Sequence, residues 1–279
     1  MSAESVDPII AGMMEKVHEA LQLLSGDKDD PGAYSELTIQ FAYDILAVLI
    51  SPNAIRDKPL LRSLVVESKI SQTTDKALYE YFLNAFTLTG AIYFGHFELL
   101  SGRHSNYFFR FSRIGSMLEY RESICQELFR RLQHTNPTLI MGPVSAGGLL
   151  VNALSEAFNV QPAFFDLDLG SRPAAVRTGY SIPSASRIIL VNDVATTGEG
   201  LERMIKLVEY HNAQVVGIGL FATRGVLSEE YLRDLMKKQG IPIESIVHLN
   251  IESTAREECT QCRYGKAKVL PYSSYILNS

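Results

Sequence analysis

The stretch Arg187–Leu201, RIILVNDVATTGEGL, decides how the rest of this chain reads. Ile188, Ile189, Leu190 and Val191 form an unbroken apolar run, the pattern of a strand covered on both faces. The run ends in Asn192-Asp193, passes through Val194-Ala195-Thr196-Thr197-Gly198 and enters a helix near Glu199. A turn of this kind sets several backbone N–H groups and two hydroxyls at a helix N-terminus. Unpaired amides and the positive end of the helix dipole hold a phosphate well there. Asp193, at the strand end, is placed to accept hydrogen bonds from vicinal sugar hydroxyls or to sit near a magnesium ion. No Gly-Lys-Ser/Thr follows, so this is not the nucleoside-triphosphate loop. The three-glycine spacing of the dinucleotide fingerprint is also missing.

Outward from this loop, short apolar runs alternate with amphipathic segments. Strands are expected at Thr138–Met141, Pro162–Phe165, Arg187–Asn192, Gln214–Phe221 and Ser245–Leu249. Helices are expected at Ser116–Leu132, Gly147–Phe158, Glu199–His211 and Ser228–Lys238. That alternation implies an α/β fold, a doubly wound parallel sheet whose ligands bind outside the carboxyl ends of the strands. Ala91–Leu100 and Asn106–Ser112 read as a strand pair around a turn at Ser101-Gly102. The first 72 residues differ and read as a helical N-terminal extension, with residues 73–279 forming the main domain. Asp7-Pro8 is a helix start, followed by apolar residues at Ile9, Met13, Val17, Leu21 and Leu24. Tyr34–Ile50, Leu60–Ser68 and Lys76–Phe86 read as further helices.

Composition limits the function classes. Hydrophobic residues make up 46% of the 279 and charged residues 20%, ordinary for a globular protein. The net charge of −5 offers no basic field for nucleic acid, so a small anion must be held by local groups. No apolar run reaches the roughly 20 residues of a membrane span, and MSAESVDPII lacks a secretory pattern. Three cysteines fit a reducing compartment better than a disulfide scaffold. The expectation is a cytoplasmic, soluble protein with neither a membrane nor a nucleic-acid partner.

The loop closely resembles the signature of type I phosphoribosyltransferases: a strand, two acidic residues, two variable positions, Thr-Thr/Ala-Gly, then a helix. Three further segments resemble the orotate branch of that family. In GAIYFGHFELLSGRHSNYFFR (Gly90–Arg110), Phe97, Leu99, Ser101, Gly102, Arg103, Ser105, Tyr107 and Phe108 match the branch's phrase. Gly142-Pro143 and Gly147-Gly148 resemble its pyrophosphate-receiving loop, and Arg224 stands where it places an arginine for the orotate carboxylate. The four segments cover about residues 75–225 in the family's order. The resemblance implies a sheet with a small hood and a transfer of phosphoribosyl from 5-phosphoribosyl 1-diphosphate (PRPP) to a pyrimidine-type base. Magnesium acts with PRPP in this class, and two subunits pair. It assigns PRPP to Asn192, Asp193, Val194, Ala195, Thr196, Thr197, Gly198, Glu199, Gly200, Pro143, Ser145, Ala146 and Gly147. The base falls to Phe108, Phe109, Thr196 and Arg224, and catalytic roles to Asp193, Arg172 and Arg177.

Several family positions are changed. Leu100 replaces a lysine, Ser145-Ala146 a Tyr-Lys pair and Asn192 the first acid; the expected mobile loop (Asp166–Pro183) offers only Arg172 and Arg177. A catalytically weak or inactive PRPP- or nucleotide-binding regulatory protein is therefore the alternative, and a transferase acting on another base a third. Cys259-x-x-Cys262 resembles half a zinc site. Four ligands are needed, Cys125 lies far away, and the pair reads mainly as a turn of the family, with His248 a remote helper. No direct protein ligation of a metal is expected.

Overall fold

In the computed structural model the described residues are 54–68, 70, 76–99, 101–144, 147–166, 175–196, 198–263 and 269. All fall in one compact unit, Ala54–Tyr272. The helices expected between Asp7 and Ile50 lie outside them, as do Ser145, Ala146, Arg172 and Thr197.

Nine strands are described: β1 (Val65–Glu67), β2 (Ile92–Glu98), β3 (His104–Phe109), β4 (Leu139–Pro143), β5 (Gln161–Asp166), β6 (Ala175–Val176), β7 (Arg187–Ala195), β8 (Gln214–Arg224) and β9 (Ile243–Leu249). Seven of them form one sheet in the order β1-β9-β8-β7-β4-β5-β6, while β2 and β3 pair as a separate hairpin. The inner pairings β9–β8, β8–β7, β7–β4 and β4–β5 are parallel, and both edge strands join antiparallel. The helices are α1 (Lys58–Leu64), α2 (Lys76–Thr89), α3 (Ser112–Gly115), α4 (Leu118–Leu132), α5 (Gly148–Phe158), α6 (Glu199–Tyr210), α7 (Gly225–Gln239) and α8 (Thr260–Arg263).

The unbroken apolar run of β7 has the two-sided burial it implies. Side chains alternate across a strand. Ile188 and Leu190 pack with Leu201, Met204, Ile205 and Val208 of α6 and with Leu232 and Leu235 of α7. Ile189 and Val191 face the other way, into a core with Phe82 and Phe86 of α2, Leu128 of α4 and Val151 of α5. In α6 the positions 201, 204, 205 and 208 follow the helical period, which brings one apolar face onto the sheet.

Two expectations change. The helix expected at Leu60–Ser68 is α1, which ends at Leu64. Asp57 caps its start by accepting from the Leu60 N–H at 2.8 Å. Val65-Val66, β-branched, leave the helix and pair with Leu249 and His248 at the sheet edge. The second hood strand ends at Phe109, and Ser112 opens α3. Among the described residues, no helix is long and apolar enough to cross a membrane.

Candidate active site

The chain passes from β4 outward to β5, and from β7 outward the opposite way to β8 and β9. The order therefore reverses between β4 and β7, the point at which a crevice opens beyond the carboxyl ends of a parallel sheet. The register sharpens it. β7 pairs with β4 only as far as Leu190 but with β8 as far as Ala195. Past Leu190 the edge of β7 that faces β4 is open. The two surface hollows lined by Arg187, Gln214 and Pro242, and by Asn159 and Gln161, lie at the amino ends of the strands, away from this crevice.

Both walls are held by close backbone approach. A Cβ on Gly147, after β4, would lie 2.9 Å from Asn192 Oδ1 and 3.3 Å from the Asp193 nitrogen. No side chain larger than hydrogen fits there without moving the β7 turn. On the other wall Gly198 has φ +86°, and its Cβ would fall 2.2 Å from the Tyr231 ring. That residue precedes α6, whose N-terminus carries no side-chain cap. A helix N-terminus without a cap from its own N-cap residue is a place where an anion can be held. Glu199 is exposed, and Glu202 pairs with Lys206 at 2.7 Å. Negative charge on the first turn suits the dipole.

Asn192 Oδ1 accepts from the Asp193 N–H at 2.9 Å, and Asn192 Nδ2 donates to the Val194 carbonyl at 3.3 Å. Asn192 therefore fixes the turn rather than presenting a second carboxylate. Asp193 keeps part of its surface open, yet burial pushes its carboxyl up to about 6 against weaker relief from backbone N–H groups. Among the described residues no cationic side chain offsets that cost. Val194 and Ala195 are still strand, opposite Ala222 and Thr223, and Ala195 is buried in the α6 core. The open part of the turn begins at Thr196, which is half-buried.

The expected base-binding residues separate. Phe109 is buried, 6% exposed, and packs against Phe86, Phe221 and Phe111, stacked on Phe221 and edge-on to Phe111. It is core, which corrects its assignment to the base. The physical reason is strand alternation: adjacent side chains on β3 point to opposite faces. Phe108 is half-buried with Phe97 at 5.7 Å. Arg224 is buried too. Its Nη2 donates to Ser105 Oγ at 2.7 Å and to the Tyr107 carbonyl at 3.0 Å, tying the end of β8 to the hairpin. Arg177 is exposed, 3.7 Å from Asp166 Oδ1. Pro143 ends β4.

Cys259 and Cys262 lie beside His96 and His104 of the hairpin. His248 is elsewhere, 2.8 Å from Thr223 Oγ1. Sequence reasoning missed His96 and His104, which sit eight residues apart on paired strands and far from the cysteines along the chain.

Residues 117–247 match the family described as the phosphoribosyl transferase domain. The chain resembles the type I phosphoribosyltransferases, and among them the orotate phosphoribosyltransferases. The "Orotate phosphoribosyltransferase" of Desulforamulus reducens is 27% identical over 71% of this chain and 98% of its own length. That of Pelotomaculum thermopropionicum is 29% identical over 68% and 95%. The fold also resembles an adenine phosphoribosyl transferase from Trypanosoma brucei, solved with AMP, pyrophosphate and ribose-5-phosphate. That match has a TM-score of 0.50 and 18% identity, covering 63% of this chain and 81% of that one.

Proposed function

We propose that this chain is an orotate phosphoribosyltransferase-like enzyme that moves the 5-phosphoribosyl group of PRPP to orotate and releases pyrophosphate. One observation carries the reading. The crevice at the reversal of strand order has a helix N-terminus begun by Gly198 on one wall, a glycine-walled turn on the other and, at its floor, a carboxylate with no described cation beside it. A sugar bearing a phosphate at one end and hydroxyls nearby fits that set. The 5′-phosphate takes the amides of residues 198–201, Asp193 accepts from the ribose hydroxyls, and the segment from Pro143 to Gly147 faces the pyrophosphate.

In the reaction the C1–oxygen bond of the ribose breaks, its electron pair leaves with pyrophosphate, and a ring nitrogen of the base forms the new bond at C1, its N–H proton passing to solvent or to the released pyrophosphate. Positive character on the sugar and negative charge on the leaving group must both be stabilised. Asp193, charged and close to the sugar, serves the first. Arg172 and Arg177 serve the second in place of the family's lysines. Asp193, beside which no described cationic side chain lies, would hold magnesium, and the metal would supply neutralisation of charge on the pyrophosphate. Phe108 lies against the ring. Arg224 acts through the hairpin that carries Phe108, since an orotate carboxylate would have to displace Ser105 to reach its guanidinium. A second copy of the chain completes the assembly.

A second reading, a PRPP-binding regulator, is favoured by the internal engagement of Arg224 and by Leu100 and Ala146 at lysine positions of the family. The assay is to incubate the full chain with magnesium, PRPP and orotate and to follow pyrophosphate release together with orotate consumption. Turnover requiring all three supports the enzyme. PRPP binding without turnover overturns it in favour of the regulator.

A further inference from the structure

Outside the crevice, four metal-ligating side chains converge. His96 on β2, His104 on β3, and Cys259 and Cys262 around α8 place their ligand atoms within 4.8 Å of one another. His96 Nε2 lies 3.0 Å from His104 Nδ1, 3.3 Å from Cys259 Sγ and 3.5 Å from Cys262 Sγ; Cys262 Sγ lies 3.3 Å from His104 Nδ1. A single ring nitrogen has one in-plane hydrogen-bonding direction, yet three partners crowd this one. They crowd it as neighbours do when all face a common centre. Bond lengths of about 2.3 Å to sulfur and about 2.0–2.1 Å to nitrogen put the edges of a tetrahedral site near 3.3 Å between nitrogens and near 3.5 Å between nitrogen and sulfur. The four measured separations follow those edges to within a few tenths of an ångström.

We infer that these four residues bind one zinc-class divalent cation as a closed structural site that fastens the hood hairpin to the chain beyond β9. Two thiolates and two imidazoles are the donor set that selects zinc over the hard cations, which take oxygen. Each thiol releases its proton to solvent as its metal–sulfur bond forms. Four protein ligands leave no position for water or substrate, so the site holds structure and does no chemistry on the base. His96, His104 and Cys259 are each 5% exposed or less, and both cysteines are free thiols. The backbone joins the same two segments, which run antiparallel there. His104 and Thr254 exchange both N–H···O bonds at 2.8 and 2.9 Å, and Arg103 Nε donates to Ser253 Oγ at 3.0 Å. Ser105 Oγ donates to the Glu252 carbonyl at 2.9 Å and accepts from Arg224. The metal thus anchors the same hairpin that carries Phe108. The inference stands whether or not the crevice handles orotate.

The test is elemental analysis of the full chain purified without chelator or added metal, with thiol titration in parallel. The expected result is about one zinc per chain, lost in the Cys259→Ser/Cys262→Ser and His96→Ala variants. Should those variants fail to fold, the wild-type chain is stripped with chelator and titrated with cobalt(II). Tetrahedral thiolate-ligated cobalt gives an intense visible absorption saturating at about one equivalent, and slowed hydrogen exchange across residues 92–109 accompanies it. Metal-free, folded wild-type protein that gains no cobalt band, or a disulfide between Cys259 and Cys262 in the protein as isolated, overturns the inference.

Discussion

Asp193 combines two demands that conflict. Its role toward the ribose needs the charged form, while burial pushes its carboxyl up to about 6. The folded value lies above the unfolded one, so the folded chain binds this proton more tightly. The associated stability is present below about pH 4 and is lost as pH rises through about 6. Asp193→Asn is therefore expected to raise stability at pH 8 by on the order of 2 kcal/mol and to change it little near pH 4. The same variant should lower turnover about a hundredfold or more, since a charged acceptor near the developing positive sugar is gone. Melting curves at both pH values, read beside the pyrophosphate assay, check the pair of outcomes. For wild type, PRPP affinity should weaken as pH falls below about 6, where the free carboxyl takes up a proton. Gly198 is the other residue under conflict. Its φ of +86° and the Tyr231 ring leave no room for a methyl group, and Gly198→Ala should cost about 1–3 kcal/mol. The repeat of small polar residues after β7 made this turn legible from sequence; the ring that closes on Gly198 comes from α7 and was not.

At the scale of elements, the hairpin separates two phenylalanines that stand next to each other in the chain. Phe109→Ala should cost about 3–5 kcal/mol, because it empties a ring cluster with Phe86 and Phe221. Phe108→Ala should leave the denaturation midpoint almost unchanged while raising the KM for the base several-fold. Equal destabilisation by both would contradict the split. The sequence reading assigns both to the base, although period-two alternation lets only one of two adjacent strand residues face a ligand. The pairing of Val65-Val66 with β9 was not legible, because a short β-branched run after a helix reads as its continuation until a partner edge is known. The same distance hid the His96–His104–Cys259–Cys262 cluster: one half is a recognisable Cys-x-x-Cys, and the other is two histidines brought together only by strand pairing. Arg224 shows the converse. Its position was legible, but its bonds to Ser105 and Tyr107 join residues more than a hundred apart.

The whole molecule places the crevice by topology. Four parallel pairings and one reversal of strand order put the turns after β4 and β7 side by side, and the chemistry of the site depends on that neighbourhood. Alternation of apolar runs and amphipathic helices made the layered sheet readable, because covered parallel strands have little freedom in composition. Strand order itself is not written in any local pattern. Gly147 is where the two turns touch, so it probes the architecture without altering any charged group. The most direct measurement is equilibrium binding of PRPP with magnesium to the full chain, wild type against Gly147→Val. A bulky side chain there must displace Asn192 and the Asp193 backbone. The account predicts saturable binding of about one PRPP per wild-type chain and at least a tenfold loss in the variant with its fold intact. Absence of saturable binding to wild type, or equal affinity in a folded variant, would contradict it.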